Sequence, residues 1–226
     1  MPRPEHPSDG RAGVLFDVDG TLVDNSYLHT LAWWRACREL GSVVPMARLH
    51  RLIGMGADQL TQRLFDREWP ELSEAHDRHI EPLFDEMLPF DGAGELLRQL
   101  RESGLAAVLA SSAKSGELAR LREIIGSESA ECEAVSSADA ATSKPAPDIF
   151  AAALSKATVP RDHAIGVGDT GWDVISAGRS GLACIAVESG GWSAEELRQA
   201  GAVAVYRDVG QLLDELASSP LAKLGA

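Results

Sequence analysis

Six short apolar runs, separated by stretches of helical spacing, restrict this chain more than anything else in its sequence. The runs are "GVLFD" (13–17), "AAVLAS" (106–111), "EAVSS" (133–137), "AIGVGD" (164–169), "ACIAV" (183–187) and "AVAVY" (202–206). Each has the length of a buried strand and is too short for a helix. Between them lie "GELLRQLRESG", "SGELARLREIIG", "APDIFAAALSKA", "GWDVISAGRSG" and "SAEELRQAG". Most of these end at a Gly, the residue that best takes the left-handed turn closing a helix. Ser193 and Glu196 have the spacing of a capping box. Parallel strands need a helical crossover between them, so strict alternation predicts an α/β fold with helices on both faces of a parallel sheet. At 226 residues and 45% hydrophobic, the chain has material for that core.

One interval breaks the alternation. From about Asn25 to Leu88 the pattern is helical throughout, with "SYLHTLAWWRACREL", "ADQLTQRLF" and "EPLFDEML" punctuated by Pro45, Pro70 and Pro82. The expected organisation is a core of 13–24 and 89–217 with an all-helical segment, 25–88, inserted after the first strand. Residues 1–12 read as a loose arm and 218–226 as a fraying tail.

Charge and cysteines narrow the function. The net charge of −13 makes nucleic acid and anionic membranes poor partners. An anionic ligand therefore needs a bound cation or a placed Lys or Arg. Cys37, Cys132 and Cys184 are far apart and odd in number, which favours neither disulfides nor zinc. The start, "MPRPEHPSDGRAG", has no apolar signal region, and no run reaches the roughly 18 apolar residues of a membrane span. A cytoplasmic location is expected.

The reactive side chains fall where the strands end. In open α/β sheets ligands sit beyond the carboxyl ends of the strands, where strand order reverses. If the first strand is central, with the second and fourth beside it, Asp17, Ser111 and Asp169 converge. Asp17 and Asp19 in "DVDG" can be a solvated turn, or a nucleophile and an acid/base. Gly20 lets the backbone approach a phosphate. Asp169 and Asp173 in "GDTGWD" add two more acids, although Asp173 also suits a helix N-terminus for its own sake. Four gathered carboxylates repel, and Mg²⁺ would relieve that. Ser111 and Ser112 open a loop before a helix, as caps or as phosphate donors. Lys144, in "SKPAPDIF", is either a surface charge or a fixed cation beside the acids.

Taken in order, "DVDGTLVD", a strand-end Ser, "KPAPDIF" and "GDTGWD" resemble the haloacid dehalogenase superfamily. The match is to its phosphoglycolate-phosphatase and β-phosphoglucomutase branch, over about residues 13 to 217. The resemblance implies a Rossmann-like, doubly wound core with a helical cap. It also implies a Mg²⁺-dependent phosphatase acting on a small phosphorylated metabolite through an aspartyl-phosphate. Asp17 would be the nucleophile, Asp19 the acid/base, and Lys144 the neutralising cation. Mg²⁺ would be held by Asp17, the Asp19 carbonyl, Asp169 and Asp173, the last directly or through water. Ser111, Ser112 and Gly20 would bind the phosphoryl group. Asp19 argues against dehalogenation, since dehalogenases lack the second Asp. Gly168 looks more like the phosphatases than the sugar mutases, which often place an acid there; phosphomutase remains the alternative, and a non-catalytic metal- or partner-binding protein of the same fold is a further one. On the cap, Arg51 and Gly54 in "HRLIGMGADQL" resemble a substrate-contact loop, although Arg51 can equally be a solvated helix residue. His29 reads as structural or merely polar. Of Trp33 and Trp34, one should pack inside the cap and the other face the cleft, with Lys114 and Trp172 nearby.

Overall fold

The sheet forms in the order that brings the reactive strand ends together. In the computed structural model, which describes residues 11–224, there are eight strands. They are β1 (Gly13–Phe16), β2 (Val23–Asp24), β3 (Leu88–Pro89), β4 (Ala106–Ala110), β5 (Glu133–Val135), β6 (Ala164–Gly168), β7 (Ala183–Val187) and β8 (Ala204–Tyr206). Six of them make one parallel sheet in the order β5–β4–β1–β6–β7–β8. The chain builds outward on one side of β1 and then on the other, so the order reverses there. β1 is central and β4 and β6 flank it, as the placement of Asp17, Ser111 and Asp169 requires.

Side chains alternate across the sheet because successive Cβ atoms of a strand point to opposite faces. Val14 and Phe16 enter one core while Leu15 enters the other. The helices number α1 (Ser26–Glu39), α2 (Met46–His50), α3 (Ala57–Phe65), α4 (Pro70–Ile80), α5 (Ala93–Glu102) and α6 (Ser115–Ile125). They continue as α7 (Ser127–Ala130), α8 (Asp148–Ala157), α9 (Gly171–Arg179), α10 (Ala194–Ala200) and α11 (Val209–Asp214). Helices α5, α6 and α11 cover the first face through Leu96, Leu121 and Leu212. Helices α8, α9 and α10 cover the second through Phe150, Val174 and Leu197. The Ser193–Glu196 capping box forms as expected. No helix among the described residues is long and apolar enough to cross a membrane.

Helices α1 to α4 bury a third cluster of their own, with Trp33, Leu49, Leu60 and Leu72. The chain enters and leaves this segment through β2 and β3, which pair antiparallel, Val23 with Pro89 and Asp24 with Leu88. A two-residue ladder has no periodicity to read, which is why the sequence pattern places Leu88 in the helical segment.

The two ends of the chain differ in what they contact. Residues 1–10 of the expected arm lie outside the described residues, while Arg11 donates from Nε and Nη2 to the carbonyls of Gly104 and Leu105. The expected fraying tail is corrected in its described part. Pro220–Lys223 form a 3₁₀ turn, and Leu221 is buried in the first core. Burial of the apolar side chains of "PLAKL" offsets the entropy of ordering so short a segment. Leu221→Ala is therefore expected to lower the unfolding free energy by about 2–3 kcal/mol in a denaturant titration. A frayed tail would show no change.

Candidate active site

Asp17 is the first residue beyond β1, and its amide still donates to the Val167 carbonyl at 2.8 Å. Its carboxylate is buried and held on both oxygens. Lys144 Nζ donates to Oδ1, and Thr21 Oγ1 lies 3.1 Å from Oδ2. Lys144 is fully buried and also pairs with Asp173 Oδ1 at 2.7 Å. Burial alone would strip its proton, but Asp17 and Asp173 outweigh that and raise the ammonium above its ordinary value. The same burial pushes Asp17 up to about 7, against the pull of Lys144. Asp173 serves two partners: Oδ1 faces Lys144, while Oδ2 takes the amide of Thr170 at 3.0 Å in a capping box at the start of α9. Capping and site placement are thus one arrangement.

Asp169 follows β6 and points at the same spot. Its Oδ1 takes Thr21 Oγ1 at 3.0 Å, while Oδ2 is buried with no hydrogen-bond partner. Burial and the neighbouring Asp173 and Asp17 carboxylates push its pKa well up. Two glycines press on that oxygen. A Cβ on Gly20, where φ is +79°, would overlap Oδ2, and so would one on Gly190. Oxygens of Asp17, Asp169 and Asp173 all lie within 4.8 Å of one another. An orphaned buried carboxylate oxygen, an all-oxygen donor set and walls without side chains fit a hard dication such as Mg²⁺.

Asp19 faces a different environment. Its Oδ1 accepts from Asn25 Nδ2 at 2.6 Å and faces His29 Nε2 at 3.4 Å; its Oδ2 accepts from Ser111 Oγ at 3.2 Å. Burial would raise its pKa, yet His29, Asn25 and Ser111 together bring it below the usual carboxylate value. Ser112 Oγ is buried without a partner beside this cleft, a donor free for an anion.

From His29 a polar chain runs away from the strand ends. His29 Nδ1 lies 3.2 Å from His76 Nε2, and His76 Nδ1 lies 3.5 Å from Asp77 Oδ1. Asp77 Oδ2 accepts from Lys114 Nζ. Glu117, at the start of α6, faces His29 at 3.7 Å. These residues line a cleft of about 100 Å³ with Trp33 and the 53–57 loop, Gly54 included.

The expected site residues thus separate into two groups. Asp17, Asp19, Gly20, Ser111, Lys144, Asp169 and Asp173 gather at the strand ends, and Ser112, His29, Gly54 and Lys114 border the cleft. Arg51 does not enter it: its guanidinium pairs with Glu196 at 2.7 Å and lies 3.7 Å over Trp192. Trp172 follows Arg51, donating to its carbonyl at 2.9 Å, and likewise stays outside. Trp33 is the tryptophan that reaches the cleft, and Trp34 packs against the helical cluster. The sequence pattern does not single out Thr21, Asn25, His76, Asp77 or Glu117. Thr21 and Asn25 stand inside or beside the quoted acidic motif, where a hydroxyl and an amide between acids are the available signal.

Known proteins resemble the chain over most of its length. Residues 14–187 match the family model described as haloacid dehalogenase-like hydrolase. The chain is 31% identical to a hydrolase of known structure from Pseudomonas syringae, with a TM-score of 0.87 over 92% of this chain and 99% of that one. It is 29% identical to a phosphoglycolate phosphatase of Rhodospirillum rubrum, covering 90% of each. It is 25% identical to a β-phosphoglucomutase of Bacillus subtilis, covering 78% of this chain and 83% of that protein.

The unpartnered Asp169 oxygen gives a direct test of the metal fit. A ligand present at 100 times its Kd stabilises by about 2.7 kcal/mol, worth roughly 5–10 °C in Tm for a chain of this size. Saturating Mg²⁺ is expected to raise the melting temperature of the wild type by that order. Asp169→Asn, which removes the orphaned charge, should melt no lower without metal and lose most of the Mg²⁺ shift in the same scans.

Proposed function

The chain belongs to the haloacid dehalogenase-like hydrolase family, and from that premise we propose that it is a Mg²⁺-dependent phosphatase hydrolysing a small phosphate monoester through an aspartyl-phosphate. The observation that carries the reading is the division of labour between Asp17 and Asp19. Asp17 is fixed by Lys144 and Thr21 at the mouth of the central strand, and Asp19 stands apart among hydrogen-bond donors. On this reading one carboxylate attacks and the other handles protons.

In this scheme an Asp17 oxygen attacks phosphorus as the bond to the leaving alcohol breaks. Asp19 gives its proton to that departing oxygen. Asp19 then takes a proton from water, whose oxygen attacks the phosphorus and releases Asp17 and phosphate. The donors around Asp19 favour its ionised form, which suits the second half of the cycle. In the first half it must arrive protonated. Ser111, Ser112 and the Gly20 amide border the place where the phosphoryl oxygens sit, and Lys144 offsets the charge that builds on Asp17. Mg²⁺, when bound by Asp17, Asp169 and the Asp19 carbonyl, supplies further neutralisation of phosphoryl charge. Asp173, which pairs with Lys144 through Oδ1 and caps α9 through Oδ2, would act directly or through water.

Phosphomutation is the second reading, and the likeness to the β-phosphoglucomutase of Bacillus subtilis supports it. Gly168 favours hydrolysis. A Cβ there would overlap that of Asp173, so the acid that mutases often carry has no room. The substrate would be a small phosphorylated metabolite, met by a helical cap formed by the inserted segment.

Purified protein with Mg²⁺ should release inorganic phosphate from p-nitrophenyl phosphate, stop on chelation and recover when Mg²⁺ is returned. Asp17→Asn should remain folded and release none. Asp19→Asn should cost about 10²- to 10⁴-fold in kcat. An isomerised sugar phosphate formed with no free phosphate would replace hydrolysis by mutation.

A further inference from the structure

The strand-end side of the cleft serves the phosphoryl group, and the far side is a separate surface. It is formed by Trp33, His76 and Asp77 from the inserted segment and by Lys114 and Glu117 from the core. Building on the phosphatase reading, we propose that this end selects a leaving group that is uncharged and carries a hydroxyl. Glu117 would accept the hydroxyl, and the Asp77–Lys114 pair would turn away a second anion.

The charge inventory carries the exclusion. Among the described residues lining the cleft, the cations are Lys114 and the histidines. Lys114 stands at the exposed rim, paired with Asp77. Burial holds His76 down at about 4, so it is a neutral imidazole. His29 is shared between Asp19 and Glu117. Arg51, the cation that a second carboxylate or phosphate would want, is tied to Glu196 on the outside. An anionic leaving group would thus enter beside Asp77 and Glu117 with no free counter-charge, and like charges brought together without water between them oppose binding.

The positive half of the inference rests on Glu117. Its Oε1 is buried, faces His29 Nε2 at 3.7 Å, beyond hydrogen-bond range, and has no hydrogen-bond partner. An unmet buried acceptor is a cost that a donor on the ligand removes. The oxygen is buried, and a neutral hydroxyl gives up far less hydration than an ammonium to reach it. Ile53, Met55 and Ala57 give the cleft apolar walls for the carbon skeleton.

Three esters of matched size test this: 2-hydroxyethyl phosphate, 2-aminoethyl phosphate and 2-phosphoglycolate, with p-nitrophenyl phosphate as a general substrate. The hydroxyl ester should exceed both others at least tenfold in kcat/KM. Titration calorimetry on Asp17→Asn should rank their affinities in the same order. Glu117→Leu should cost the hydroxyl ester at least tenfold, chiefly in KM, while Glu117→Gln, which keeps an acceptor oxygen, should spare it. Asp77→Asn frees Lys114 and should raise 2-phosphoglycolate relative to the hydroxyl ester at least fivefold. Turnover of p-nitrophenyl phosphate with 2-phosphoglycolate or 2-aminoethyl phosphate preferred would overturn this inference and leave the phosphatase reading standing. No phosphate from any of the four would overturn both.

Discussion

A single buried ammonium, Lys144, holds the centre of this molecule together. Three carboxylates, Asp17, Asp169 and Asp173, converge at the carboxyl end of the central strands, and all are buried. Lys144 satisfies two of them and leaves Asp169 with one oxygen unpaired. A buried charge is tolerable only when paired, and removing its partner is far more costly than never having had the pair. Three acids against one cation leave a negative excess, and that excess is what a dication would offset. The glycines at 20 and 190 belong to the same constraint, since any side chain there would collide with Asp169. The reversal of strand order at β1 is what makes the convergence possible, because it opens space above the sheet where neighbouring loops part.

The inserted helices meet this centre through contacts of another kind. On one rim Lys114 pairs with Asp77, and Arg120 with Glu81; on the other Arg51 pairs with Glu196 and covers Trp192. Both members of each pair are well exposed, so solvent screens them and each contributes little. The segment has its own apolar cluster, joins the core through the two-residue ladder of β2 and β3, and adds Ala32, Ile80, Leu83 and Phe84 to the first core.

The core was legible because burial on both faces forces continuous apolar runs, and all six sheet strands appear where such runs lie. Their ends located Asp17, Ser111 and Asp169 by a rule of topology that needs no contact information. The cleft was legible only in part. His76 and Asp77 lie on α4 and Glu117 on α6, and they meet only because α4 packs over the start of α6 beside His29. Nothing local to "SEAHDRHI" or "SGELARL" records that meeting. Arg51 shows the converse. Its Gly-rich neighbourhood suggested a ligand loop, yet a carboxylate and an indole elsewhere in the chain claim the guanidinium. Leu221 belongs with these, since a short apolar segment near a chain end reads as tail until a core is shown to receive it.

Asp17 and Asp19 show how two like residues at close spacing come to hold unlike chemistry. Two residues apart on an ideal strand they would share a face and an environment. β1 ends at Phe16, however, and the chain turns at Gly20 with a positive φ, which separates the two carboxylates. Asp17 is left facing Lys144 with little else to replace its lost hydration, and burial drives its pKa up. Asp19 is turned toward Asn25, His29 and Ser111, whose donors more than offset the same burial and bring it down. The opposite shifts come from where the strand stops, and the stop is set by the Asp-Gly-Thr turn. The short spacing of the acids therefore encodes two carboxylates in unlike surroundings, one against a buried ammonium and one among amide, imidazole and hydroxyl groups.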